Sequence, residues 1–189
     1  MKALMPEEVL KVLKVASSES KRNAAMILLA FKHGMRASEV CNLRLSDVDL
    51  KAGEIVIRRL KGSLKTTQPL VDFPGQPLLS EKRVLRVWLE ERRDSSDYVF
   101  VSQKGGKLDR SAFFRAFRAA ARQVGLSADK CHPHSLKHAL GFALVAANVN
   151  LAVVKQALGH RSIASTAVYT TPTDEQAGKA VTTALAGLF

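Results

Sequence analysis

The chain has 189 residues, 47% of them hydrophobic, which suits one globular domain with its own core and excludes a disordered tail. Its net charge of +12 points to a polyanionic partner without choosing among DNA, RNA and an anionic membrane. The longest apolar run, AAMILLAF at 24–31, is too short to span a bilayer, and MKALMPEEV lacks the apolar stretch of a signal peptide; the expected location is the cytoplasm, with Cys41 and Cys131 as free thiols.

Pro6, Glu7 and Glu8 suit a first helical turn, and the valines and leucines that follow predict a helix over 6–17. The apolar run predicts a second helix over 20–33 that stops at Gly34, and a short third helix, 37–44, begins beside Arg36. GEIVIRRL (53–60) and TTQPLVDF (66–73) are rich in strand formers, so a small antiparallel hairpin or sheet is expected, with KGSLK (61–65) at its tip. Helices are expected again over 80–93, 110–124, 134–147, 151–158 and 162–169, with YVFVS (98–102) a strand or extended segment and QKGGK (103–107) a turn. Near the C-terminus, Ala177, Ala180, Val181, Ala184, Leu185 and Leu188 form an apolar stripe on a last helix. There is no internal repeat and no long linker. The fold class is mostly α with a small antiparallel β-sheet, an α+β domain over 1–189.

The densest chemistry is HPHSLKH, 132–138. His134 and His138 are four apart and share a helix face, as zinc ligands can, but Ser135 stands where a metalloprotease helix carries its glutamate, and no further ligands complete a set. No metal is expected. Alone, the stretch reads as the start of a helix that His138 helps to pack. Other stretches change its meaning. GMRASEV (34–40) sets Arg36 at a helix mouth, with Glu39 spaced to hold its guanidinium. LGHRS (158–162) puts His160 after a glycine, and AVYT (167–170) offers Tyr169. Singly, each has a plainer reading: a surface arginine, a histidine at a helix end, a half-buried tyrosine.

Together, in this order and spacing, Arg36, His134, His160 and Tyr169 resemble the boxes of the tyrosine site-specific recombinases, the phage integrase family. The resemblance covers 5–172, and FKHGMRASEVCNLRLSDVDLKAGEIVIRRLKGSLKTTQPL is most similar to the fimbrial phase-switch DNA invertases, which lack the separate N-terminal core-binding domain of larger members. The resemblance implies the recombinase catalytic-domain fold and cutting and rejoining of DNA through a 3′-phosphotyrosine. It implies Tyr169 as nucleophile, Arg36 as phosphate clamp, Lys61 as general acid with Lys65 as its fallback, His134 in proton transfer or phosphate binding, and His160 as a phosphate donor. Lys65 and Arg161 are candidate DNA contacts. Where the family carries its second arginine, three residues after the first histidine, this chain has Lys137, so Lys137→Arg is expected to raise cleavage. The family needs no cofactor and no metal. Its partners are double-stranded DNA with specific sites and further copies of itself, a tetramer in synapsis, within a bacterial nucleoid and away from membranes. The stripe over 174–189 is the expected docking helix onto a neighbouring subunit. Two alternatives stay open: a weakened or inactive recombinase-derived DNA-binding protein, for which Lys137 speaks, and a type IB topoisomerase-like enzyme.

Overall fold

The computed structural model describes residues 3–59 and 65–170, together with 178, 181–183 and 185–186. Lys61 and most of the 174–189 stripe lie outside the described residues.

The centre of the fold is a helix that is apolar all round. Every residue of α2 (Lys21–Lys32) from Ala24 to Ala30 is buried, as expected of a helix enclosed by others. Around it pack α1 (Pro6–Glu19), α4 (Glu81–Glu91), α5 (Arg110–Gln123) and α6 (His134–Ala146). α1 starts with Pro6 in its first turn, and the backbone N–H of Met5 donates to the Glu8 carboxylate at 2.8 Å. α4 and α5 turn one stripe inward: Leu85 and Trp88 from α4, Phe113, Phe117, Ala120 and Ala121 from α5. The Trp88 indole N–H donates to the Val99 carbonyl at 2.8 Å, so the ring is buried without an orphaned donor.

β1 (Val48–Asp49), β2 (Glu54–Ile57) and β3 (Thr66–Pro69) form one antiparallel sheet in the order β1-β2-β3. The register pairs Ile55 with both Val48 and Gln68, and Ile57 with Thr66. β1 was not anticipated, because two residues are too few to show a period. YVFVS differs from a strand in having only isolated bridges, Tyr98 to Arg44 and Val101 to Lys107. Val99 and Phe100 are apolar because they are fully buried core residues. Further α-helices among the described residues are α3 (Ala37–Asn42), α7 (Leu151–Leu158) and α8 (Ala164–Ala167). α8 is much shorter than the 162–169 expected. Cys41 and Cys131 are both free and buried.

A second, smaller apolar cluster lies apart from the main core. Val154 and Leu158 of α7 and the Tyr169 ring are buried there, packed by Leu140, Leu144, Val145 and Val149. It fixes the C-terminal half of the fold around the residue that carries the phenol.

Candidate active site

Gly34 adopts φ 54°, which turns the chain sharply out of α2. A side chain there would also strike Leu158, 2.7 Å from the position of a Cβ. Arg36 follows at the N-terminus of α3. Its backbone N–H donates to Glu39 Oε2 at 2.9 Å and its Nη1 to Glu39 Oε1 at 2.8 Å. The Arg36 side chain is 38% exposed while Glu39 is fully buried, so the carboxylate acts as an anchor beneath a guanidinium that still faces out.

α6 brings four members of the site onto adjoining positions. His134 opens it; its ring meets His138 edge to face at 4.5 Å. His138 and Phe142 contact the Tyr169 ring at 5.7 and 5.2 Å. Between them Gly141 leaves the gap into which the phenol fits: a Cβ on Gly141 would lie 2.5 Å from Tyr169 Cζ. A glycine inside a helix costs about 1 kcal/mol against alanine, so Gly141 within the α6 pattern was the available signal for this close approach.

Lys137 points inward and is 1% exposed. Its Nζ donates to the carbonyls of Gly34 at 3.0 Å and Leu158 at 2.5 Å. It therefore ties the turn before Arg36 to the turn before His160. Gly159 ends α7 in the left-handed conformation, φ 62°. His160 follows, its Nδ1 paired at 3.0 Å with the hydroxyl of the buried Thr166 on α8. That bond fixes the ring and leaves Nε2 for a ligand. The imidazole lies nearly parallel to the Tyr169 ring, 15° apart, with centroids at 6.2 Å.

These surroundings set the protonation states. Desolvation, then the charges of His138, Lys137, His132 and Arg36, pushes His134 down to about 4, although much of its surface is open. His160 is likewise pushed down to about 4 by desolvation, Lys137, Arg36 and Arg59. Both are neutral imidazoles at pH 7. Desolvation and the neighbouring Arg59 and Arg36 lower Lys137 to about 7. Burial alone would raise Glu39; hydrogen bonds from Arg36 and the charges of Arg59 and Lys137 outweigh it and hold the group below its ordinary value. Burial pushes the Tyr169 phenol up to about 12. It is a packed, protonated phenol that needs a proton acceptor before its oxygen can attack.

Of the expected site residues, Arg36, Glu39, His134, Lys137, His160 and Tyr169 come together, linked by these contacts. Arg161 is exposed on the turn after His160. Lys65 is exposed at the start of β3 and lines a cleft of about 680 Å³ with His33, Gln68 and Gln156, outside that cluster. Sequence reasoning missed Gly141, Phe142, Thr166 and, above all, Arg59. Arg59 is buried, its side chain 0% exposed.

The pattern has known counterparts. The model of the phage integrase family matches residues 2–176. The type 1 fimbriae regulatory protein FimB of Escherichia coli K12 is 39% identical over 173 residues, covering 88% of this chain and 82% of FimB. The crystal structure of XerA recombinase superposes with a TM-score of 0.77 at 26% identity, over 97% of this chain and 63% of that one. XerH bound to its difH substrate before cleavage superposes at 0.79 and 24% identity, over 96% of this chain and 53% of that one. The chain thus spans less than two thirds of those two recombinases. Sequence and fold agree that it belongs to the phage integrase family and carries the catalytic domain of a tyrosine recombinase, an enzyme that breaks and rejoins DNA.

Proposed function

We propose that this chain is a site-specific recombinase whose nucleophile is Tyr169. The phenolic oxygen attacks a backbone phosphorus, the phenol proton leaves to a neighbouring acceptor, and the bond to the 5′ oxygen breaks. A 3′-phosphotyrosine and a free 5′-hydroxyl result, and attack by a 5′-hydroxyl from a partner strand reverses the step and releases the tyrosine. Charge concentrates on the nonbridging oxygens in the transition state. Arg36, braced by Glu39, and the neutral rings of His134 and His160 are the donors placed to meet it. Protonation of the leaving oxygen is assigned to Lys61, with Lys65 as fallback; Arg161 is assigned to a backbone phosphate. The proposed outcome is inversion or integration-excision of the DNA between two sites.

The observation that carries this reading is the convergence of Arg36, His134, His160 and Tyr169 from α3, α6 and the two sides of α8. The test is a nicked duplex bearing the sequence the protein retains from fragmented genomic DNA of its source. After denaturation, a covalent protein–DNA adduct is expected with the wild type and none with Tyr169→Phe.

Assembly on paired sites belongs to the same proposal. Val181 and Leu185 of the C-terminal stripe are 58% and 50% exposed, apolar surface suited to a neighbouring copy. Complexes with DNA in the nucleoid are the proposed working state.

One observation favours a second reading, a DNA-binding protein that cuts poorly or not at all. Lys137 is buried with Nζ engaged by two carbonyls, so it does not present a planar fork to a phosphate as an arginine can. Tight, site-selective binding without adduct would establish that reading.

A further inference from the structure

Arg59 is a buried cation that makes four hydrogen bonds through its two terminal nitrogens, Nη1 and Nη2. It extends from the end of β2, where Ile55, Ile57 and Arg59 alternate inward while Arg58 points out to pair with Asp47. Its Nη1 donates to the Gly34 carbonyl and to Glu39 Oε2, both at 3.2 Å. Its Nη2 donates to the carbonyls of His33 and Ala157, both at 2.9 Å. Room for its stem comes from Gly159: a Cβ there would lie 2.6 Å from Arg59 Nε. The Ala157 carbonyl also accepts from Gln68 Nε2, and Gln68 Oε1 pairs with His33 Nδ1 at 2.7 Å, so β3 backs the same contact.

Two consequences follow from these bonds. Glu39 is shared, with Oε1 holding the Arg36 guanidinium and Oε2 holding Arg59. The carbonyls that Arg59 grips flank the two donors of the site, at 33–34 ahead of Arg36 and at 157 ahead of His160. Lys137 ties the same two turns at Gly34 and Leu158. With its side chain fully buried, Arg59 cannot itself present its guanidinium to a phosphate.

We propose that Arg59 is the positioning residue of this recombinase site, holding Glu39, and through it Arg36, in cleavage geometry and fixing the spacing between Arg36 and His160. Its planar fork is spent on Glu39 and the carbonyls of the two turns, not on a phosphate. A lysine at 59 would keep the charge but could not reach four acceptors lying in two directions.

The inference rests on the recombinase reading, and the test keeps the two apart. Single-turnover adduct formation is measured for wild type, Arg59→Lys, Glu39→Gln and the double variant, with DNA affinity measured beside it to certify the fold. Arg59→Lys is expected to slow adduct formation by about a hundredfold while changing DNA affinity less than about twofold. The double variant is expected to be no slower than the slower single, because both act through one contact. Should Arg59→Lys lose DNA affinity, the neutral Arg59→Gln replaces it in the same cycle. Wild-type cleavage by the Arg59 variant, or losses that multiply in the double variant, would overturn the proposal. Independently of cleavage, the side-chain ¹⁵N–¹H signal of Arg36 is expected to report an ordered guanidinium in the wild type and a mobile one in Arg59→Lys. An unchanged signal also overturns the proposal, whereas absence of any wild-type adduct with the predicted change in Arg36 would overturn only the recombinase reading.

Discussion

Lys137 shows how one substitution is absorbed at the scale of a residue. A neutral amine has two N–H donors, and the two carbonyls of Gly34 and Leu158 are what it meets. Its folded value, about 7, lies below its ordinary 10.5. Between those two pH values the unfolded chain holds a proton that the folded chain has released, so folding gains stability as pH rises through the window and the gain ends above it. Compared with Lys137→Met, the wild type is therefore expected to gain up to about 1.4 kcal/mol per pH unit in denaturant titrations between pH 7.5 and 9. Parallel curves for the two proteins would contradict a depressed Lys137. The same geometry sharpens the expectation for Lys137→Arg. A guanidinium has five donors, enough to keep both carbonyls and still offer a fork to a phosphate. Single-turnover cleavage by Lys137→Arg is expected to exceed the wild-type rate by more than about tenfold; an equal or lower rate would show that position 137 serves only as a tie between turns.

At the scale of elements, α6 is the organising piece: it carries His134 and Lys137, and its Gly141 receives the Tyr169 ring. Gly141→Ala raises helix propensity yet drives a methyl into Tyr169 at 2.5 Å. The variant is expected to bind DNA normally and lose about a hundredfold or more in adduct formation, read by gel shift and cleavage side by side; retained cleavage would mean that the phenol reacts from a position far from α6. Long periodic helices such as α2 and α6 were legible in the sequence because burial imposes their pattern. The 98–102 stretch was legible only as a strand or an extended segment, since full burial in a core and pairing in a sheet select the same β-branched and aromatic residues. Four family boxes located Arg36, His134, His160 and Tyr169, whose chemistry fixes residue type. Arg59 escaped because its role depends on where carbonyls of two distant turns arrive. The alternation Ile55, Ile57, Arg59 could have placed it facing inward, but its acceptors at 33, 34 and 157 come together only in the folded chain.

For the whole molecule, charge and the C-terminal stripe are the features proposed to govern encounter and assembly. A net charge of +12 predicts affinity for DNA that falls steeply with salt as counterions are released. Deleting 174–189 is expected to leave the melting temperature nearly unchanged, because the main core, among the described residues, lies upstream, and to abolish cooperative binding to paired sites in native gels. Normal assembly by the truncated protein would remove the stripe from the interface.

The central claim is that Tyr169 becomes covalently joined to DNA through the cluster built on Arg36, His134 and His160. The most direct measurement is denaturing electrophoresis of the protein after incubation with a nicked cognate duplex, followed by peptide mass mapping of the adduct. The account predicts a DNA-linked peptide containing Tyr169 that disappears in Tyr169→Phe. An adduct on another residue, or binding to the cognate site with no adduct at all, would contradict it.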